Sequence, residues 1–300
     1  PETRAPNMKI LSKISCRLGG TFYGLLSGDF PRTVQIETTN ACNARCIICP
    51  YTYMQRPVAT MVDSLYAKLI DECARHNCPD VHLHNFGEPL LDPKLPERIR
   101  YAKEKGLKRV KLFSNGALLV PQKASEICNA GLDEIKISFD GTTKAEFEKI
   151  RFPLKFDRVV SNISELIRIR NRKKSPLKVI ITCCATSDKS DTVSLLKRVG
   201  ADEFSFGKMH NWSDESTESD HRTPVRKPCT RIWRTFTVLS SGEAALCCLD
   251  YDGREILGDT NLQSIAEIWR SRRYRNLRRL HTAACQDRID ICSRCSKSFW

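Results

Sequence analysis

The chain has 300 residues, 41% apolar and 28% charged, enough for one large core or two modest ones and too apolar for an intrinsically disordered protein. Its longest apolar runs are about six residues, as in Val179–Cys184, against the roughly 20 that span a bilayer, and PETRAPNMKILSK lacks the apolar stretch of a secretory signal. A transmembrane protein and a conventional secreted precursor are therefore excluded and a cytoplasmic chain is expected, although Pro1 in place of Met leaves an earlier-removed segment open.

The formal charge of +14 favours anionic partners. Fifteen cysteines, an odd number with tight local spacings, point to metal or redox chemistry rather than a disulfide framework.

In chain order, residues 1–32 form an N-terminal extension. Strands are then expected at Thr33–Glu37, Val81–His84, Arg109–Phe113, Glu134–Ser138, Leu177–Thr182 and Glu203–Phe206. Amphipathic helices are expected between them near Asp63–His76, Pro93–Lys105, Pro121–Ala130, Phe156–Arg172 and Asp191–Val199, with Gly131 and Gly200 as C-terminal caps. This βαβ series is an α/β domain over 33–212, with a parallel sheet and helices outside. Residues 213–227 are polar and aperiodic and read as a linker. Residues 228–300 suggest a small α+β domain. It has a hairpin, Phe236–Leu239 with Ala244–Cys248, a basic helix around Ser264–His281, and a cysteine-rich end.

The first cysteine group, Cys42-Asn-Ala-Arg-Cys46-Ile-Ile-Cys49, follows the first strand. Three thiolates on one loop can hold three irons of a [4Fe–4S] cluster and leave the fourth iron open to a small molecule. A structural zinc site wants four ligands, and no further Cys or His lies close by to complete the set.

This segment resembles the CxxxCxxC signature of radical S-adenosylmethionine (SAM) enzymes. The resemblance implies a partial (β/α)6 barrel of the TIM type. It also implies that the open iron binds SAM, whose reductive cleavage gives a 5′-deoxyadenosyl radical that abstracts hydrogen from a substrate. Ile48 stands where the family often has an aromatic residue. Asn85-Phe86-Gly87-Glu88-Pro89 is similar to the family's GGE motif, with Phe86 replacing its first glycine. By that likeness Gly87 and Glu88 face the SAM ammonium group. Ser114 and Asn115, before Gly116, match a ribose-contacting turn, Ser138 and Asp140 a second SAM-facing turn, and Arg151 an arginine that pairs with the SAM carboxylate. A low-potential donor such as flavodoxin or ferredoxin is implied as partner.

The second group is Cys229, twelve residues, Gly242, four residues, Cys247, and later Cys292-Ser-Arg-Cys295. By spacing alone, zinc and a fully ligated cluster both fit. The pattern is similar to the shortened "twitch" form of the SPASM domain, which implies one auxiliary [4Fe–4S] cluster on Cys229, Cys247, Cys292 and Cys295, with Cys248 as the rival to Cys247. If Cys247 lies on a strand, the Cys248 thiol points away from the ligand side. Cys248, and Cys183 or Cys184 at the end of the fifth strand, are then candidates to return a hydrogen atom to a substrate radical. Cys16, Cys73, Cys78, Cys128 and Cys285 read as free thiols.

Lys208 and His210 are candidate bases. Tyr51, Tyr53 and Trp212 can be either stacking or core residues. The expected function is radical SAM oxidation or epimerisation of a carbinol- or amine-bearing carbon in a small, sugar-like or anionic molecule, as in aminosugar or aminocyclitol antibiotic biosynthesis. The alternatives are peptide modification and, in a different class, a zinc-stabilised nucleic-acid binder, which leaves the ordered SAM motifs unexplained.

Overall fold

A computed structural model describes residues 4–184, 193–194, 197, 199–207, 209–210, 212 and 225–299. The backbone divides into two units, residues 35–209 and residues 1–34 with 210–300.

Strand β1 (Thr33–Ile36) leads into the first unit. It is followed by β2 (Asp80–His82), β3 (Val110–Ser114), β4 (Glu134–Ser138), β5 (Lys178–Cys183) and β6 (Glu203–Phe206). The strands lie side by side in chain order, and β2 through β6 pair parallel. Sequential order with right-handed crossovers places every helix on one face and lets the sheet curl about the other, as in a barrel wall. The crossovers carry α2 (Asp63–Arg75), α3 (Leu95–Glu104), α4 (Pro121–Ala130), α5 (Lys144–Ile150) and α6 (Phe156–Arg172). The expected fifth helix near 191–199 falls mostly outside the described residues.

Alternation along the strands sorts the two faces. Val81, Leu83, Val110, Leu112, Ile135, Ile137, Val179 and Ile181 are fully buried on one side. The opposite, inner face carries His82, Lys111, Phe113, Lys136, Ile180 and Thr182, brought level by the registers His82↔Lys111, Phe113↔Lys136 and Lys136↔Ile180.

Local chemistry sets the helix ends. Gly131 closes α4 at φ +84°, where an L side chain is disfavoured. Helix α5 was not expected from the sequence, yet Thr143 and Glu146 form a reciprocal capping box at its start.

In the second unit the 1–32 extension contains a helix, α1 (Arg4–Leu26). An added Cβ on Gly20 would meet Thr282 Oγ1 at 2.3 Å, so glycine permits this close approach. Cys16 Sγ accepts from Gln286 Nε2 at 3.4 Å, and Tyr23 meets the Trp233 ring at 5.7 Å. The hairpin is β7 (Thr235–Val238) with β8 (Glu243–Ala245), and a third strand, β9 (Ile256–Asp259), extends it. The single basic helix expected at 264–281 is instead two, α7 (Ile265–Trp269) and α8 (Arg272–Thr282). The cause is a second N-cap: Ser264 caps Glu267, and Ser271 then accepts from the Tyr274 amide and starts a new helix. Among the described residues no helix is long and apolar enough to cross a membrane.

Candidate functional site

The site of the first unit is built at the C-terminal ends of its strands. Just past β1, the buried Glu37 carboxylate accepts from both Arg56 Nη atoms at 2.8 and 3.0 Å. It also takes Asn85 Nδ2 at 3.1 Å and the Phe86 amide at 3.2 Å. One residue thereby ties the cysteine loop's root to the loop after β2. Asn40 donates to the Pro57 carbonyl at 2.9 Å and accepts from the Ala59 amide at 2.7 Å.

The cysteine loop is held from four sides. The Cys42 amide donates to the Tyr51 hydroxyl at 2.9 Å. Tyr51 stacks on Phe86 with ring centres 6.2 Å apart, and the Arg45 guanidinium lies over the Tyr51 ring, 4.7 Å from its centre. The Arg45 and Ile47 amides donate to the Phe152 and Ile150 carbonyls at 2.6 and 3.0 Å. Asn43 Oδ1 accepts from Asn115 Nδ2 at 2.7 Å. Tyr51 therefore acts as a brace, while Tyr53 is exposed.

Gly87 has φ +93° and packs so closely on Asn40 and Ala41 that no side chain fits. The next amide, of Glu88, donates to the Ala41 carbonyl at 2.7 Å. The Glu88 carboxylate is fully buried and accepts from Ser114 Oγ at 2.8 Å, the Asn115 amide at 2.7 Å and the Leu90 amide at 3.1 Å. Burial pushes this carboxyl up to about 7 despite those three donors. Glu88 thus braces the Ser114-Asn115-Gly116 turn that ends β3.

At the end of β4, buried Asp140 forms an ion pair with Arg151 Nη2 and accepts from the Cys184 amide at 2.5 Å. Arg151 Nη1 lies 4.0 Å from Cys46 Sγ, and Arg151 Nε is buried with no hydrogen-bond partner. Burial alone would lower the Arg151 guanidinium, but Asp140, Cys46 and Cys49 outweigh it and raise it. Ser138 sits at the same end, level with Thr182. Cys183 shares the buried face of Val179 and Ile181 rather than the inner face.

Burial pushes Cys42 up to about 11 and Cys49 up to about 12. Cys46 is raised by burial and drawn back by Arg151. Cys46 hinders the ionisation of both Cys42 and Cys49, and Cys42 hinders that of Cys49. Among the described residues no three His, Cys, Asp or Glu side chains close on a single ion. One buried and two half-buried cysteines on one loop, with an arginine beside Cys46, fit a multi-iron cluster, whose charge would stabilise all three thiolates. The unpartnered Arg151 Nε–H fits an anionic group next to it.

In the second unit, Arg231 is raised by Cys248 first and also by Cys229, Cys247 and Cys295, against its burial. Cys292 is raised by burial, then by Cys247, Cys229 and Cys295. Cys295 is raised by burial and further by Cys229 and Cys248. All four expected ligands and Cys248 therefore share one neighbourhood. The strand-alternation argument for Cys248 fails because β8 ends at Ala245 and the pair lies in the turn beyond it. Cys247 Sγ already accepts from the Leu249 amide at 3.4 Å. Cys285 is engaged with the Ala283 carbonyl instead. His210 packs edge-on to Trp212 at 5.8 Å and is pushed down to about 4 by burial, then by Lys297 and Arg231. Lys208 lies outside the described residues.

Sequence reasoning missed Glu37, Asn43 and the inner-face pair His84 and Lys136. His84 is buried, and its Nδ1 has no partner. Its ring lies 4.5 Å from Phe113, and Lys136 Nζ lies 5.3 Å over that same Phe113 ring. A signal existed: basic residues recur at alternate positions in strands otherwise built of Val, Ile and Leu.

A family model described as the radical SAM superfamily matches residues 36–199, and one described as a SPASM iron–sulfur cluster-binding domain matches 229–296. An AdoMet-dependent heme synthase of Methanosarcina barkeri is 31% identical over 175 residues, covering 57% of this chain and 48% of that protein. A GTP 3′,8-cyclase of Chlorobaculum tepidum is 31% identical over 151 residues, covering 48% and 44%. The chain thus spans about half the length of the curated relatives it matches. Among solved structures, BtrN in complex with AdoMet and 2-DOIA aligns with a TM-score of 0.64 at 17% identity, covering 88% of this chain and 92% of BtrN. Streptococcus suis SuiB bound to precursor peptide SuiA aligns with a TM-score of 0.70 at 11% identity, covering 84% and 68%. Identities this low show a shared fold.

Proposed function

This chain belongs to the radical SAM superfamily, and on that premise we propose that it oxidises or epimerises a carbinol- or amine-bearing carbon of a small, polar, anionic molecule such as an aminosugar or aminocyclitol derivative. It is an enzyme whose cofactors are SAM and two [4Fe–4S] clusters. When bound, these groups supply a 5′-deoxyadenosyl radical that removes a hydrogen atom, and a second centre able to take up an electron.

The chain's own residues hold the rest. Cys42, Cys46 and Cys49 would carry the SAM-binding cluster, and Cys229, Cys247, Cys292 and Cys295 the auxiliary one. Arg151 offers its open Nε–H to a carboxylate. Gly87, Glu88, Ser114, Asn115, Ser138 and Asp140 shape the rim around it. The observation that carries the substrate class is the inner sheet face. Lys136 presents a cation over Phe113, and its carboxylate neighbour Glu134 stands at 3.9 Å, outside ordinary hydrogen-bond reach. Beside it, burial holds His84 well below its ordinary range, with the charges of His82 and Lys136 adding to the effect. A neutral imidazole next to a cation can hydrogen-bond a hydroxyl or amine of the substrate, while Lys136 holds the anionic end.

The test is anaerobic reconstitution followed by incubation with SAM, dithionite and a panel of phosphorylated or carboxylated polyols and aminosugars. About eight irons per chain and 5′-deoxyadenosine formed in step with a product two hydrogens lighter, or inverted at one carbon, are expected. Turnover confined to a peptide would overturn the substrate class, and about four irons with one zinc would remove the electron-accepting centre.

A further inference from the structure

We propose that α1 is an interfacial anchor that lays this protein on an anionic lipid surface. Three stripes run along this 23-residue helix. The first, Ser12, Cys16 and Gly20, is buried in its own unit. The second, Ile10, Ile14, Leu18, Phe22 and Leu25, advances in steps of four and three residues, so it holds one face. Each member is more than half exposed, Leu25 by 82%. The third stripe is Lys9, Lys13 and Arg17, four residues apart and also exposed. Residues 4–26 contain no Asp or Glu.

An exposed apolar stripe of this length marks a surface that something covers. The charge selects the occupant. A second copy would bring another acid-free basic helix against this one, with like charges meeting. An anionic bilayer surface offers an apolar interior for the second stripe and headgroups for the third, whose long side chains can reach outward. The neighbouring helix α8, packed on α1 where Gly20 meets Thr282, adds the same sign. On α8, Arg272, Arg273, Arg275 and Arg279 line, with Asn276, a concavity of about 720 Å³, Arg273 being paired with Glu255 at 2.8 Å. No helix among the described residues is suited to crossing a membrane, so the association is with the interface.

The experiment is flotation of the full, cluster-loaded chain with vesicles of phosphatidylcholine alone and of phosphatidylcholine mixed with phosphatidylglycerol, at low and high salt. Binding to the mixed vesicles that high salt reverses is expected. Leu18→Glu with Phe22→Glu should abolish it, with circular dichroism and iron content unchanged because both side chains are exposed. Lys13→Gln with Arg17→Gln should weaken it by about fivefold for each cation removed. Absence of binding to mixed vesicles would overturn the proposal, as would equal binding to neutral ones. A dimer in sedimentation equilibrium that the Leu18→Glu/Phe22→Glu pair dissociates would assign the stripe to a second copy and overturn it too.

Discussion

Gly87→Ala tests whether backbone crowding is what fixes the cysteine loop. A Cβ on Gly87 would fall 2.6 Å from the Asn40 carbonyl carbon, 2.7 Å from the Ala41 oxygen and 2.8 Å from Asn40 Cα. All three are backbone atoms and cannot swing aside as a side-chain tip can. The residue also sits at φ +93°. Gly106 supplies the internal control, because its φ is +84° and nothing lies within 4 Å of its added Cβ. Gly106→Ala therefore carries the conformational cost alone, about 1–2 kcal/mol for an L residue in that region. Gly87→Ala adds an overpacking cost of about 1–3 kcal/mol, for a total of roughly 2–5 kcal/mol. Relief requires moving the strand end away, which stretches the 2.7 Å bond from the Glu88 amide to Ala41, the residue before Cys42. Urea unfolding of anaerobic protein, with iron counted on each variant, should show Gly87→Ala less stable than Gly106→Ala and short of the iron held by the first cluster. Equal midpoints and full iron in both would refute the reasoning.

Three further outcomes follow from single groups. Tyr51→Phe keeps the stacking on Phe86 but leaves the Cys42 amide without its acceptor, at a cost of about 1–3 kcal/mol; faster bleaching of the iron absorbance by a chelator should report it. Arg151→Met strands the buried Asp140 carboxylate and should cost about 3–5 kcal/mol. Adding Asp140→Asn should restore the unfolding midpoint without restoring SAM affinity measured by equilibrium dialysis, and restoration of both would deny Arg151 a binding role. His82 is pushed down to about 4 by burial and then by Lys111, so the folded chain favours its neutral form. Its contribution is full above about 6.5 and is lost as pH falls toward 4, by about 3 kcal/mol in total. His82→Gln should flatten the stability curve across that window, and an unchanged slope would place the titration elsewhere.

What was legible in the sequence follows from how far each feature reaches along the chain. The strands of the barrel unit were legible because Val, Ile and Leu at alternate positions mark one buried face, and β4 and β6 fall where expected. Helix α1 was not, because its inward stripe is small and polar while its large apolar residues face out, the reverse of the usual pattern. The break between α7 and α8 was visible only as a lone serine, Ser271, whose cap needs the Tyr274 amide in place. The cysteine motifs were legible as local spacings. Their braces were not, since Glu37 reaches Phe86 and Asn43 reaches Asn115 only after the sheet has formed.

The same distinction separates two residues that the resemblance to radical SAM enzymes implies are both SAM contacts. Glu88 accepts from three donors of its own fold, so its visible work is to hold the turn after β3. Arg151 is the opposite case. Two of its nitrogens are engaged with Asp140 and Cys46, and its Nε–H is buried with nothing to receive it. A buried donor left unpaired costs about 1–3 kcal/mol, and an anion bound beside Arg151 would relieve that cost. Arg151 thus has an open donor beside Cys46, and an anion that fills it gains a charge-assisted bond without disturbing the pair with Asp140.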